Sequence, residues 1–168
     1  ADADVLIAPI GSAIPATVDD PFDGDWSYIG LLDGDKGFTH NRAEDASDKF
    51  AWGGILMKRT RKNFKETVAW DAYEYNEAVR SIIYPGSTAG VRKVPRPQPI
   101  LVALEKRDGD TVRRLISSKH VIVDAVGETK DNEGDVSAYP CMASVFPTED
   151  GELWIEQPAF GGATLVSI

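Results

Sequence analysis

The chain has 168 residues, 42% hydrophobic and 27% charged, a balance that suits one packed domain and argues against wholesale disorder. Its 27 acidic and 18 basic residues give a formal net charge of −9, which weighs against a protein that grips nucleic acid through its phosphates. One cysteine, Cys141, excludes an internal disulfide framework and a cysteine-rich zinc site.

No stretch approaches the ~20 consecutive apolar residues of a membrane span. The opening Ala1-Asp2-Ala3-Asp4 is acidic where a secretory signal is basic, so a soluble protein without an export signal is expected. Charge is uneven along the chain. Residues 1–50 hold 11 acidic and 3 basic side chains, residues 51–100 hold 4 and 9, and residues 101–168 hold 12 and 6. A basic middle between acidic ends fits an ordinary solvated surface, or a subunit whose opposite signs meet between neighbours.

In chain order, Val5–Gly11 is a short apolar run ended by Pro9 and Gly11, expected as an edge strand or as an arm on a neighbouring surface. An Asp- and Pro-rich loop follows through Asp25, making residues 1–25 an N-terminal arm. Trp26–Leu32 reads as a strand closed by Asp33-Gly34. From Asp33 to Lys49 the chain is polar and without a clear period, and is expected to be a long loop. Loops beyond about 12–15 residues are usually functional or disordered. Phe38 and Phe50 lie near its ends.

Ile55–Thr60 and Phe64–Trp70 are expected to form a hairpin around Lys62-Asn63. Phe64, Glu66, Val68 and Trp70 share one face by period two, and Glu66 suggests incomplete burial there. One helix is predicted. Asn76 caps it, Glu77 suits its positive first turn, Ala78, Val79, Ile82 and Ile83 form its apolar side, and Pro85-Gly86 stops it. Residues 85–99 are a proline-rich linker.

The remainder reads as strands. Ile100–Leu104 and Val112–Ile116 flank the turn signal Asp108-Gly109, and His120–Gly127 is a further strand. Val136–Phe146 and Glu152–Ile155 are expected to close a second hairpin. The end of the chain, residues 158–168, is a second arm: Gly161-Gly162 gives it a permissive hinge, and Leu165, Val166 and Ile168 offer apolar contacts.

The residues give little support for catalysis. His40 and His120 lie far apart and outside any nucleophile or metal-binding spacing, and Cys141 reads as a small buried packing residue. Asp19, Asp20, Asp23, Asp25, Asp33 and Asp35 offer oxygen ligands, but Asp33-Gly34-Asp35-Lys36-Gly37 lacks the glycine and glutamate positions of a calcium loop. Turn aspartates are the better reading. No cofactor, metal or enzymatic activity is expected.

The order Trp26-Ser27-Tyr28-Ile29-Gly30, Asp33-Gly34, a long polar loop, Phe50-Ala51-Trp52-Gly53-Gly54, a basic β-hairpin, Thr67-Val68-Ala69-Trp70, Glu74–Val79 and Ile82-Ile83-Tyr84 resembles the major tail tube proteins of long-tailed, non-contractile bacteriophages, especially those of actinobacteria. The resemblance covers about 60 residues, Trp26–Tyr84. It implies a mainly β fold, a sandwich or half-barrel with one short flanking helix, in a single domain over residues 1–168. It further implies a structural virion protein, assembled in the host cytoplasm as hexameric rings stacked into the tail tube.

Under that resemblance the partners are other copies of the chain and the tape-measure, tail-tip and tail-terminator proteins. DNA passes through the lumen without specific binding, along a surface expected to be net negative. The ring-to-ring loop would include Asp33, Gly34, Asp35, Phe38, His40, Arg42, Glu44, Asp45, Asp48 and Lys49. The inner-barrel hairpin would include Met57, Arg59, Lys65, Thr67 and Trp70, and Leu165, Val166 and Ile168 would make the C-terminal arm contacts. The inner tube of a contractile tail or secretion system shares the same pattern. A monomeric acidic β-domain that binds calcium or another ligand is the alternative of a different class.

Overall fold

The opening run is apolar without alternation because its strand is covered on both faces. In the computed structural model, which describes residues 2–159, strand β1 (Asp2–Pro9) lies between β2 (Ser27–Tyr28) and β5 (Ile100–Asp108). Val5 and Ile7 point into the main core, while Leu6 and Ala8 face a smaller apolar cluster on the other side. β5 repeats the division, with Val102 and Leu104 in the main core and Leu101 and Ala103 in the smaller one. The first strand is therefore an interior strand of its own sheet. It is not an arm, because its side chains have no free face to lend.

The rest of the sheet follows from β5. On one side β6 (Thr111–Ser117) pairs with β5 and carries β9 (Trp154–Gln157). Ile100, at the start of β5, also pairs with Val121 of β7 (His120–Val126), which leads to β8 (Tyr139–Phe146), β4 (Ile55–Ala72) and β3 (Thr39–Ala51). All these pairings are antiparallel. The sheet thus forks at β5, and both branches wrap one core in which Trp70, Val68, Cys141, Ala143 and Val121 meet Val79, Ile82 and Ile83 of helix α1 (Glu77–Ile83). The mainly β fold with one short helix is the one expected from sequence.

Helix α1 begins as its sequence dictates. The Asn76 side-chain oxygen accepts from the Val79 amide at 2.9 Å, and its amide nitrogen donates to the Ile29 carbonyl at 3.1 Å. The cap therefore ties the helix to the segment after β2. Asn76→Ala is expected to lower stability by about 1–2 kcal/mol in a urea titration, the upper part of the range for caps because a second bond goes with it.

Several local expectations need correction. The strand expected over Trp26–Leu32 is reduced to Ser27–Tyr28, with Leu32 making one isolated bridge to Ala72. β8 and β9 do not form a hairpin. β8 lies between β4 and β7, while β9 crosses to β6 and forms the end of the other branch. There Trp154 donates from its indole to the Glu66 carboxylate at 2.9 Å. That bond lets Glu66 be buried where incomplete burial was expected.

The loop after β1 folds back on its own domain. It lays Phe22 and Trp26 over the smaller core, and a buried ion cluster holds it there. Glu105 accepts from Arg114 Nε and Arg107 Nε, both at 2.8 Å. Arg114 Nη1 also donates to the carbonyls of Thr17 and Asp20, at 3.2 and 2.7 Å, and its guanidinium stacks 4.5 Å from the Phe22 ring. Residues 1–25 are thus integral to the fold.

Asp4 stands opposite Glu105 in the β1–β5 register. Burial, and then the Glu105 carboxylate, push the Asp4 carboxyl above its ordinary 3.8. The folded state then holds this proton to a higher pH than the unfolded chain does. The associated stability is complete below 3.8 and is lost as pH rises through the folded value. Asp4→Asn is accordingly expected to raise Tm at pH 7 and to give no gain at pH 3, measured by thermal melts across that range.

Candidate assembly surface

Residues 39–72 form the most unusual feature of the molecule. β3 and β4 pair from Thr39↔Ala69 out to Ala51↔Ile55, and a turn over Ala51–Gly54 joins them, with the Gly54 amide donating to the Ala51 carbonyl at 3.1 Å. Gly53 and Gly54 both have positive φ, at 86° and 78°, which favours glycine there. At about 3.3 Å per residue, the 13 residues of β3 span about 40 Å. The root of β4, Glu66–Ala72, packs in the domain between β3 and β8, whereas beyond it the ribbon is exposed on both faces.

The expected loop and the expected hairpin are therefore one long hairpin. Only Asp33–Phe38 of the 33–49 segment lies outside β3, as a turn in which Asp33 Oδ1 accepts from the amides of Asp35 and Lys36. That turn is fastened to the root of β4: Lys36 pairs with Asp71, and the Asp33 amide donates to the Asp71 carbonyl at 3.0 Å. The sequence hides β3 because both of its faces are solvated, so no apolar alternation marks it. Lys62-Asn63 is not the turn. It is a β-bulge within β4, where the register steps from Ala43↔Lys65 to Asp45↔Lys62. Asn63 takes φ 58° and its side chain donates to Asp45 at 2.8 Å.

The two faces of the ribbon differ. Period two places Glu44, Ala46 and Asp48 with Arg59 and Arg61, and both arginines pair with these acids, Arg59 with Asp48 and Arg61 with Glu44, each at 3.6 Å. The opposite face carries Lys49, Lys58, Lys62 and Lys65 around Asp45. The distal end is apolar: Phe50, Ile55, Leu56 and Met57 are exposed and Trp52, at the turn, is 100% exposed. Trp52, Ile55 and Leu56 escaped the residue-level reading; the signal was present in the Trp52-Gly53-Gly54 turn flanked by apolar residues.

Among the other residues singled out from sequence, His40, Arg42, Glu44, Asp45, Asp48 and Lys49 all lie along β3, while Asp33, Gly34, Asp35 and Phe38 sit at its root. Met57, Arg59, Lys65, Thr67 and Trp70 share β4 but not a face. Trp70 is buried in the core, Arg59 lies on the acid–base face, Lys65 and Thr67 lie on the opposite one, and Met57 is the unpaired residue of a second bulge. Leu165, Val166 and Ile168 lie outside the described residues.

The groups considered for catalysis are occupied with packing. The His120 ring stacks on Phe146 at 4.7 Å, and His40 meets Trp154 edge-on at 6.0 Å. Cys141 is buried, and burial pushes its thiol up to about 12, far from a reactive thiolate. Among the described residues no group of His, Cys, Asp or Glu side chains is placed to hold a metal ion, and no helix is long and apolar enough to cross a membrane.

No protein-family model and no curated protein sequence matches the chain. Among solved structures, it is similar to a chain of the virion of a native gene transfer agent particle, at 12% identity, over 84% of this chain and 89% of that one, with a TM-score of 0.43. That degree of likeness is too slight to transfer a role.

Proposed function

We propose that this chain is a structural virion protein that polymerises into a phage tail tube, as stacked hexameric rings through which DNA is delivered. One observation carries the reading: a ribbon that projects about 30 Å beyond its packed root, over Ala43–Ala51, its distal end apolar, on a domain whose own core is complete without it. A two-stranded ribbon in water is marginally stable alone, and an open 13-residue strand edge invites pairing with another chain. Both conditions are met when neighbouring subunits cover the ribbon. The likeness of Trp26–Tyr84 to the tail tube proteins supplies the ring and tube geometry, with the β3–β4 ribbon lining or linking rings. Tape-measure, tail-tip and terminator proteins would be the further partners.

Negative-stain microscopy of the purified chain, with sedimentation velocity on the same samples, tests this. Rings or tubes are expected, in amounts that rise with concentration. A particle that stays monomeric over the whole accessible concentration range overturns the reading.

A further inference from the structure

The apolar end of the ribbon, with its basic stem, calls for a receptor that is part apolar and part acidic, and a second surface of the same molecule offers that mixture. A groove of about 560 Å³ opens between α1, the proline-rich linker and β7, large enough for a group bulkier than one indole. Ile82, Pro85, Pro97 and Val126 supply apolar lining, and Asp124 and Asp131 are exposed within it. Arg92, the cation among its described lining residues, is held against the groove wall: the guanidinium lies 5.0 Å over the Tyr75 ring and 4.9 Å over that of Tyr84, itself a lining residue. The adjoining loop, residues 127–138, has four acids (Glu128, Asp131, Glu133, Asp135) and one base, Lys130, a net of −3. The ribbon over residues 44–65 has six bases and three acids, a net of +3.

We infer that the Trp52 end of the β3–β4 ribbon of one copy docks in the α1–linker groove of a second copy. Trp52 and its apolar neighbours enter the groove, and the lysine-bearing stem behind them meets the acidic loop. The apolar contact supplies affinity, while the opposed charges select the partner and orient it. Tip and groove are different surfaces, so each copy offers one of each and copies add head to tail, the pattern that closes into rings or extends into filaments. This inference rests on the self-assembly reading above and names the contact that reading needs.

Cross-linking distinguishes the two. Ala51→Cys places a thiol beside the tip without removing an apolar contact, and Thr129→Cys places one in the groove. The native Cys141 is buried and does not compete. The two single variants, one of them tagged, are mixed and treated with a short bis-maleimide, with microscopy on the same sample. A third variant, Glu156→Cys, reports on a second open groove of about 290 Å³ lined by Phe38, Leu104, Leu115 and Pro158.

The expected result is a tagged–untagged dimer between the Ala51→Cys and Thr129→Cys chains. Its yield should fall about tenfold or more when Trp52→Glu is added to the first chain. Cross-linking to Glu156→Cys instead, or to neither, in a sample that still forms rings or tubes overturns the docking site and leaves the assembly reading standing. A sample with neither rings, tubes nor cross-links overturns both.

Discussion

Arg114→Ala is expected to cost about 3–5 kcal/mol of folding stability, a large share of the ~5–15 kcal/mol that holds a domain together. Arg114 is almost wholly buried, and its removal leaves the equally buried Glu105 with only the half-exposed Arg107 as a partner. It also frees the Thr17 and Asp20 carbonyls and takes the cation from the Phe22 ring. The cost arises chiefly from the stranded carboxylate, so a paired replacement, Glu105→Leu with Arg114→Met, should recover most of it. The loop over residues 11–25 should nevertheless exchange its amide hydrogens faster in the pair than in the parent, since its two carbonyl anchors are gone. Urea titrations of the three variants and hydrogen exchange over that loop make the measurement. A single-variant loss below about 1 kcal/mol would show that the cluster contributes little.

The second large effect is on assembly and not on folding. Asp45 and Lys62 are directly paired, so excising residues 46–61 and joining them through Asn-Gly leaves a hairpin of ordinary length with a suitable two-residue turn. The excised side chains pack on nothing in the domain, and Tm should stay within a few degrees of the parent. Rings and tubes should be absent at concentrations where the parent is fully assembled. Tubes of normal appearance from the shortened chain would mean that the ribbon has another purpose.

The fold was legible wherever a strand or helix buries one side against the core. Asn76 and the apolar spacing of Val79, Ile82 and Ile83 located the helix, and Asp108-Gly109 located the β5–β6 turn. β3 was not legible because strand alternation is a record of one-sided burial, and β3 has none. Lys62-Asn63 misled for a related reason: a positive-φ asparagine serves a bulge as well as a turn. The partner of β9 lay beyond local reading altogether. Its four residues resemble the return arm of a hairpin with β8, and only the burial of Glu66 under Trp154 shows why they cross to the other branch. The exposed ribbon was legible as a long polar stretch between Asp33 and Lys49, but its strand pairing and its apolar tip were not.

That crossing has a consequence for the order in which the molecule matures. The β3–β4 ribbon is built from contacts between near neighbours in sequence and can zip from its glycine turn as soon as residue 72 has been made. The body waits much longer. β1 needs β5, β4 needs β8, the Trp154 clasp on Glu66 spans 88 residues, and Gln157 reaches back to the Pro15 carbonyl across 142. Such distant closures place the domain among the slow-folding β topologies, those that take milliseconds to seconds. During synthesis every residue of the projection, its exposed apolar tip included, is therefore present before the body that carries it can close.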